Sequence, residues 1–260
     1  MTALVDPRNG PDHDLPSCTG ARTYVIASSP RTGSTLLARM LWETGRVGAP
    51  KEYLNPMQIR DWEVRLGGPL SRRTHGLLRG PAVNLACHGR WTDTRLRDHL
   101  QRVRQRRSSG GWFGLKVHWH HFERFFVASG RDPDAFLGDP VWIRIARHDR
   151  LAQAVSWVRA WQTGAWVGTQ RARIQPVYNR HLITGRLADI DAAEAGWDGV
   201  LAGRNPWVLD YEGLSADPVG TTRSVLRHLG VSAEVDVPVP LARQADAISA
   251  AWVERYRAGD

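Results

Sequence analysis

Apolar positions in this chain gather into four short runs, at residues 23–28, 112–118, 141–147 and 207–211. Each is brief and rich in β-branched or aromatic side chains, which marks a buried strand rather than a helix. Between them, apolar residues recur at helical spacing. Residues 33–44 make an amphipathic helix that stops at Gly45. Residues 92–107 carry Leu96, Leu100 and Val103 on one face, and residues 149–162 carry Leu151, Val155 and Val158. Further helices are expected at 189–201 and 218–229, the second ending at Gly230. Strands alternating with helices predict an α/β domain over residues 22–260, with a central, mainly parallel sheet flanked by helices. Residues 1–21 read as a mobile arm. Residues 46–90 and 164–188 read as irregular walls around the carboxyl ends of the strands, where ligands bind in such folds.

Composition adds limits. At 260 residues with 42% hydrophobic content and 12 Trp, the chain can bury a real core. No apolar run approaches the roughly 20 residues of a membrane span, and the first residues lack the apolar stretch of a secretory signal. Cys18 and Cys87 are the only cysteines, so a reducing, cytoplasmic setting is expected and Cys-based zinc sites are excluded. The formal net charge is +9, yet Lys51 and Lys116 are the only lysines. Arginine is dispersed and no recognition motif for nucleic acid is present, so no nucleic-acid partner is expected. The basic run at 102–107 reads as a solvated helix face.

Two stretches carry chemistry. The first strand leads into Ser28, Ser29, Pro30, Arg31, Thr32, Gly33, Ser34 and Thr35, and then a helix. Unpartnered amides at a helix start and the positive end of the dipole make such a loop an anion cradle. A nucleoside triphosphatase has Lys directly after its second Gly; here Gly33 is followed by Ser34, and the nearby cation is Arg31. The second stretch ends a strand at Arg147, caps a helix with Asp149 and places Ser156 on it. Arg147 and Ser156 can converge on one phosphate, through a charged fork and a hydroxyl. The competing reading pairs Arg147 with Asp149 or Asp210.

With Arg31, Thr32, Gly33, Ser34 and Thr35 after a strand, then Gly48, Pro50, Lys51, Glu52 and Tyr53, the chain resembles the bacterial trehalose sulfotransferase-like family. Gly114, Lys116, His118 and Trp119, the segment from Arg147 to Ser156, Gln162 with Trp166, and Tyr211, Glu212, Gly213 and Leu214 before Asp217 and Pro218 extend the resemblance from about residue 23 to 256. It implies a three-layer P-loop-like fold and the donor 3′-phosphoadenosine 5′-phosphosulfate (PAPS), used without a metal. It also implies a small-molecule or sugar acceptor and a homodimer. By resemblance, Ser29, Arg31, Thr32, Gly33, Ser34 and Thr35 hold the 5′-phosphosulfate, and Arg147 and Ser156 hold the 3′-phosphate.

Sulfuryl transfer needs a positioned hydroxyl, a base and cations on the developing charge. Arg31 and Lys116 are the candidate cations. Two bases compete. Glu52 lies in a loop after the first helix and matches the family's proposed base. His118 ends the strand segment that begins at Lys116, an element that resembles the one where animal cytosolic sulfotransferases place a base. Strand alternation places His118 and His120 on one face, but no acidic or thiolate ligand nearby completes a metal site with them and His121. Trp112, Trp119 and Trp166 are candidate aromatic platforms for an acceptor, and Trp157 with Trp161 share a helix face. A P-loop kinase or other nucleotide-binding protein, and a basic nucleic-acid-binding module, stand as alternatives.

Overall fold

The computed structural model describes residues 4, 6–16, 18–66, 90–167, 170–240 and 247–260. Its sheet has the order β2-β3-β1-β4-β5. These strands are β1 Arg22–Ser28, β2 Ser108–Ser109, β3 Trp112–His118, β4 Val141–Ala146 and β5 Trp207–Asp210. All neighbours run parallel except the short β2. The helices are α1 Ser34–Glu43, α2 Pro56–Leu66, α3 Asp93–Arg107, α4 Trp119–Phe125, α5 Pro133–Leu137, α6 Arg150–Thr163, α7 Arg180–Leu201, α8 Tyr211–Ala216, α9 Pro218–His228 and α10 Ala247–Arg257.

Alternation along β1 builds the three layers. Val25 and Ala27 face Leu96, Leu100 and Val103 of α3, together with Phe122 and Trp197. Tyr24 and Ile26 face Leu37 and Leu41 of α1 and Val225 and Leu226 of α9. Each such fully buried aliphatic side chain contributes about 1.5–3 kcal/mol. A third cluster joins Val155 and Val158 of α6, Ile183 and Ile190 of α7, and Trp252 of α10. No helix among the described residues is long and apolar enough to cross a membrane.

The four predicted strands form, within a residue at either end. The stretches expected to be irregular are partly helical. Residues 56–66 are α2, and α7 begins at Arg180 rather than at 189, with Asn179 Oδ1 accepting from Leu182 N. Gly185 and exposed polar residues mask the start of α7 in the sequence, yet Ile183, Ile190, Ala193, Trp197 and Leu201 are buried at helical spacing. Trp119 packs so close to α7 that a Cβ at Gly196 would lie 2.1 Å from its ring. The basic run is not simply solvated. Arg107 is buried over the Trp62 ring and donates to Gly10 O, and Arg104 donates to Thr23 Oγ1 at 2.8 Å.

Candidate active site

Register brings the chemistry together. Ser28, the last residue of β1, pairs with His118 on one side and Ile145 on the other. The loop after β1, the end of β3 and the residues after β4 therefore open on the same carboxyl edge of the sheet.

The loop is held from below. Ser29 and Thr32 are buried, and their hydroxyls face protein: Ser29 Oγ donates to Glu194 Oε1 at 2.8 Å, and Thr32 Oγ1 donates to Ser29 O at 3.0 Å. Gln153 Nε2 donates to Ser29 Oγ and to Pro30 O, and Trp197 Nε1 donates to Ser28 O. Glu194 also pairs with Arg144, whose guanidinium donates to Ala27 O and Ile145 O. Ser29 and Thr32 thus brace the loop through their side chains. Arg31 and Gly33 are left-handed, at φ 69° and 77°. Such backbone in a non-glycine residue costs on the order of 1–3 kcal/mol and clusters at functional loops. Gly33 is also confined, since a Cβ there would lie 3.0 Å from the Tyr211 ring and 3.1 Å from Leu214. Ser34 and Thr35 open α1 just beyond, so first-turn amides face the loop.

Arg31, Arg147 and Ser156 converge. Arg31 Nε donates to Ser156 Oγ at 2.9 Å and its Nη1 to Trp166 O at 2.5 Å. Arg147 Nη1 donates to Arg31 O at 3.4 Å, and the guanidinium lies 4.3 Å from the Tyr211 ring centroid. Burial, then the neighbouring charge of Arg147, lowers the Arg31 guanidinium to about 10. The hydrogen bond to Ser156 groups the Arg31 side chain with Arg147 and Ser156, the pair expected to hold a second anion. The segment from Tyr211 holds the arrangement: Glu212 accepts from the backbone amides of His148 and Asp149, and Asp149 Oδ1 caps α6 at Ala152 N.

On the other side of the loop, Lys116 Nζ donates to Glu52 Oε1 at 2.5 Å and to Thr35 Oγ1 at 2.8 Å. His118 Nε2 lies 3.3 Å from Glu52 Oε1, and Asn55 Nδ2 donates to Glu52 Oε2 at 2.8 Å. Nδ1 of His118 is 3.0 Å from Ser28 Oγ. Burial alone would raise the Glu52 carboxyl, but Lys116, His118 and His121 hold it well below the ordinary carboxylate range. Burial, reinforced by Lys116 and opposed by Glu52, lowers His118. Burial and His118 lower His120 to about 4. At neutral pH the site therefore holds an ionised Glu52 beside neutral imidazoles. Both competing bases sit in one cluster.

The histidines meet differently from the sequence expectation. β3 ends at His118 and α4 starts at Trp119, so His120 reaches His118 through a helical turn, with ring centroids 6.1 Å apart. Strand alternation plays no part. Among the described residues, the trio with ligand atoms within 4.8 Å of one another is His148, Asp210 and Glu212. Asp210 there already accepts from Gly213 N. Trp112 is buried and begins β3 at the opposite end of the sheet, away from the site, and Trp119 packs edge-on against Trp197. Trp166 is 42% exposed beside Arg31, while Trp161 is exposed and Trp157 lies under Arg186. Residues 67–89 of the expected acceptor wall, and Cys87 with them, lie outside the described residues. Sequence reasoning missed Glu194, Gln153, Arg144 and Asn55. Gln153 lies inside the Arg147–Ser156 segment, but its role shows only through Ser29 and Pro30; Glu194 and Arg144 pair with each other 50 residues apart, and Asn55 acts in an unpredicted turn.

A strand–loop–helix anion cradle with a second basic centre and an adjoining carboxylate–lysine pair is the equipment of a group-transfer enzyme. A family model described as Stf0 sulphotransferase matches residues 23–259, and the chain belongs to that family. It is a sulfotransferase. The chain is 31% identical to the trehalose 2-sulfotransferase of Mycolicibacterium smegmatis, over 90% of this chain and 94% of that protein. It is 28% identical to the trehalose 2-sulfotransferase of Mycobacterium tuberculosis, over 91% and 95%. A crystal structure of a sulfotransferase from Alicyclobacillus acidocaldarius is similar at 17% identity and a TM-score of 0.44, covering 91% of this chain and 94% of that one.

Proposed function

We propose that this enzyme moves a sulfuryl group from PAPS to a hydroxyl of a carbohydrate or glycosylated small molecule, in line and without a metal, from a single catalytic domain spanning residues 22–260. The observation that carries the reading is the pair of basic centres flanking one loop: Arg31, Arg147 and Ser156 on one side, Lys116 on the other. A donor with two separate anionic ends fits them. The charge of Arg147 beside buried Arg31 is relieved by an anion between them.

The bound donor supplies an activated sulfuryl group on a leaving phosphate. Arg31, Arg147 and Ser156 bind its 3′-phosphate. The backbone amides from Gly33 to Thr35 stabilise the 5′ oxygens, and Lys116, already at Thr35, follows the charge that grows on them. Glu52 accepts the proton of the acceptor hydroxyl, and His118 orients that hydroxyl. Asn55 and the histidines 118, 120 and 121 give the surroundings of Glu52 the hydrogen-bonding character a sugar requires. The names of the two trehalose sulfotransferases support a sugar acceptor. A homodimer in the cytoplasm belongs to the same reading.

Calorimetry with 3′,5′-adenosine bisphosphate and with ATP tests the donor assignment. The bisphosphate binds more tightly, and turnover survives excess chelator. Equal or tighter ATP binding, or turnover lost to chelator and restored by Mg²⁺, overturns it.

A further inference from the structure

The stretch expected as a mobile arm is docked, in its described part, beside the Glu52 loop. Two 3-10 turns, Pro7–Asn9 and Pro11–His13, run along α2 and α3. Arg65 donates to Asn9 O, and Arg107 donates to Gly10 O and His13 O. At their centre is Lys51, which is 8% exposed. Its Nζ donates to Asp6 Oδ2 at 2.9 Å and to Asn9 Oδ1 at 2.6 Å. Asn9 Nδ2 donates in turn to Asp61 Oδ2 and Gln58 Oε1, and Asp61 also accepts from Asp6 N. A buried ammonium needs such partners, and losing one is strongly destabilising.

The backbone of Lys51 continues this grip into the sheet. Lys51 forms a parallel bridge with Leu115, and its carbonyl accepts from Lys116 N at 3.0 Å. The next side chain is Glu52, which meets Lys116 and His118 of the same strand. Both lysines of the chain thus serve one loop, one by its ammonium at Glu52 and one by its backbone beneath it.

We propose that Asp6 is a positioning residue for the Glu52 site: by gripping Lys51, Asp6 and Asn9 fix the Lys51–Lys116 backbone pairing and hold the Glu52 carboxylate in place. Its catalytic consequence rests on the reading of Glu52 as proton acceptor. The charged groups facing Lys51 are Asp6 and Arg8 of the first turn and Arg107 of α3, with Asp61 of α2 behind Asn9. Burial lowers the Lys51 ammonium to about 8, opposed by Asp6 and assisted by Arg8 and Arg107. Lys51 thus loses its charge as pH rises through about 8. The grip is complete below that value and fades above it.

The test uses the full-length chain and compares Asp6→Asn, Asp6→Glu and Asn9→Ala with wild type. Three quantities are read: amide exchange of Lys116, single-turnover rate with saturating donor, and bisphosphate affinity. Asp6→Asn is expected to speed Lys116 exchange and slow turnover by about tenfold each, the scale of one hydrogen bond to a charged group. Its alkaline loss of rate moves to lower pH, and bisphosphate affinity stays within about twofold, less than 0.5 kcal/mol. Asp6→Glu recovers part of the rate. Asn9→Ala keeps the ion pair and gives a smaller change in the same direction. Unchanged Lys116 exchange and an unmoved alkaline limb in folded Asp6→Asn or Asn9→Ala overturn the proposal. Glu52→Gln is measured alongside. A fast Glu52→Gln overturns the base reading, and Lys116 exchange still decides whether Asp6 holds the loop.

Discussion

The Lys116 ammonium bridges Thr35 and Glu52, at 2.8 and 2.5 Å, and so ties the first turn of α1 to the Glu52 carboxylate. One buried strand residue therefore touches both halves of the site. This link makes the charge of Glu52 depend on Lys116.

Removing Lys116 reverses the behaviour of Glu52. In the wild type the Glu52 carboxyl is depressed, so its contribution to stability is present above the ordinary carboxyl value of 4.5 and is lost as pH falls through its folded value. In Lys116→Met, burial prevails and the carboxyl rises. The ascending limb of the rate then moves to higher pH. Thermal stability falls as pH rises from 4 towards 7, by roughly 1.4 kcal/mol for each tenfold gain in the carboxylate's affinity for its proton. Rate profiles and melting curves across that range check it. An unmoved ascending limb refutes the coupling.

Glu52→Gln keeps shape and removes the carboxylate proposed to take the proton. It is expected to lower single-turnover rates by about 10²–10⁴-fold while leaving bisphosphate affinity nearly intact. Under the same proposal His118→Asn costs less, because the imidazole orients the hydroxyl while Glu52 takes its proton. The reverse order of the two variants exchanges their roles.

Arg147→Ala removes one of the two guanidiniums of the proposed 3′-phosphate site. Bisphosphate affinity is expected to weaken by about 1.5–3 kcal/mol, and Ser156→Ala by less. Affinity for inorganic pyrophosphate, which lacks the 3′-phosphate, changes little. Calorimetry on folded variants decides it, and an unchanged bisphosphate affinity in Arg147→Ala excludes the assignment.

Gly33→Ala places a Cβ on left-handed backbone 3.0 Å from the Tyr211 ring. The conformation alone costs about 1–2 kcal/mol, and the crowding adds to it. Denaturant unfolding is expected to show a loss above that range together with weaker bisphosphate binding. Wild-type stability and affinity would show that the loop does not need this geometry.

The sequence by itself determined what local physics determines. Apolar runs with β-branched residues marked the four long strands, and Gly33 before Ser34 marked the anion loop, because strand burial and helix-start chemistry are written within a few residues. Arg147 with Ser156, Lys116 with His118, and Glu52 were legible as residues from three short segments, the two candidate bases through the family resemblance. Tertiary structure alone decided how these three segments group. Parallel register puts Ser28 beside His118, and the bridge from Lys51 to Leu115 brings Glu52 to Lys116. It decided that Arg31 reaches Ser156, that Arg107 is buried, and that Asp6 is docked on Lys51. Glu194 under Ser29 belongs here as well: its partners, Ser29 and Arg144, are 165 and 50 residues away. A long-range pairing of this kind leaves no periodic trace, because neither partner constrains its own neighbours in sequence. What fixes it is the shared burial of charges that must find one another once the sheet closes.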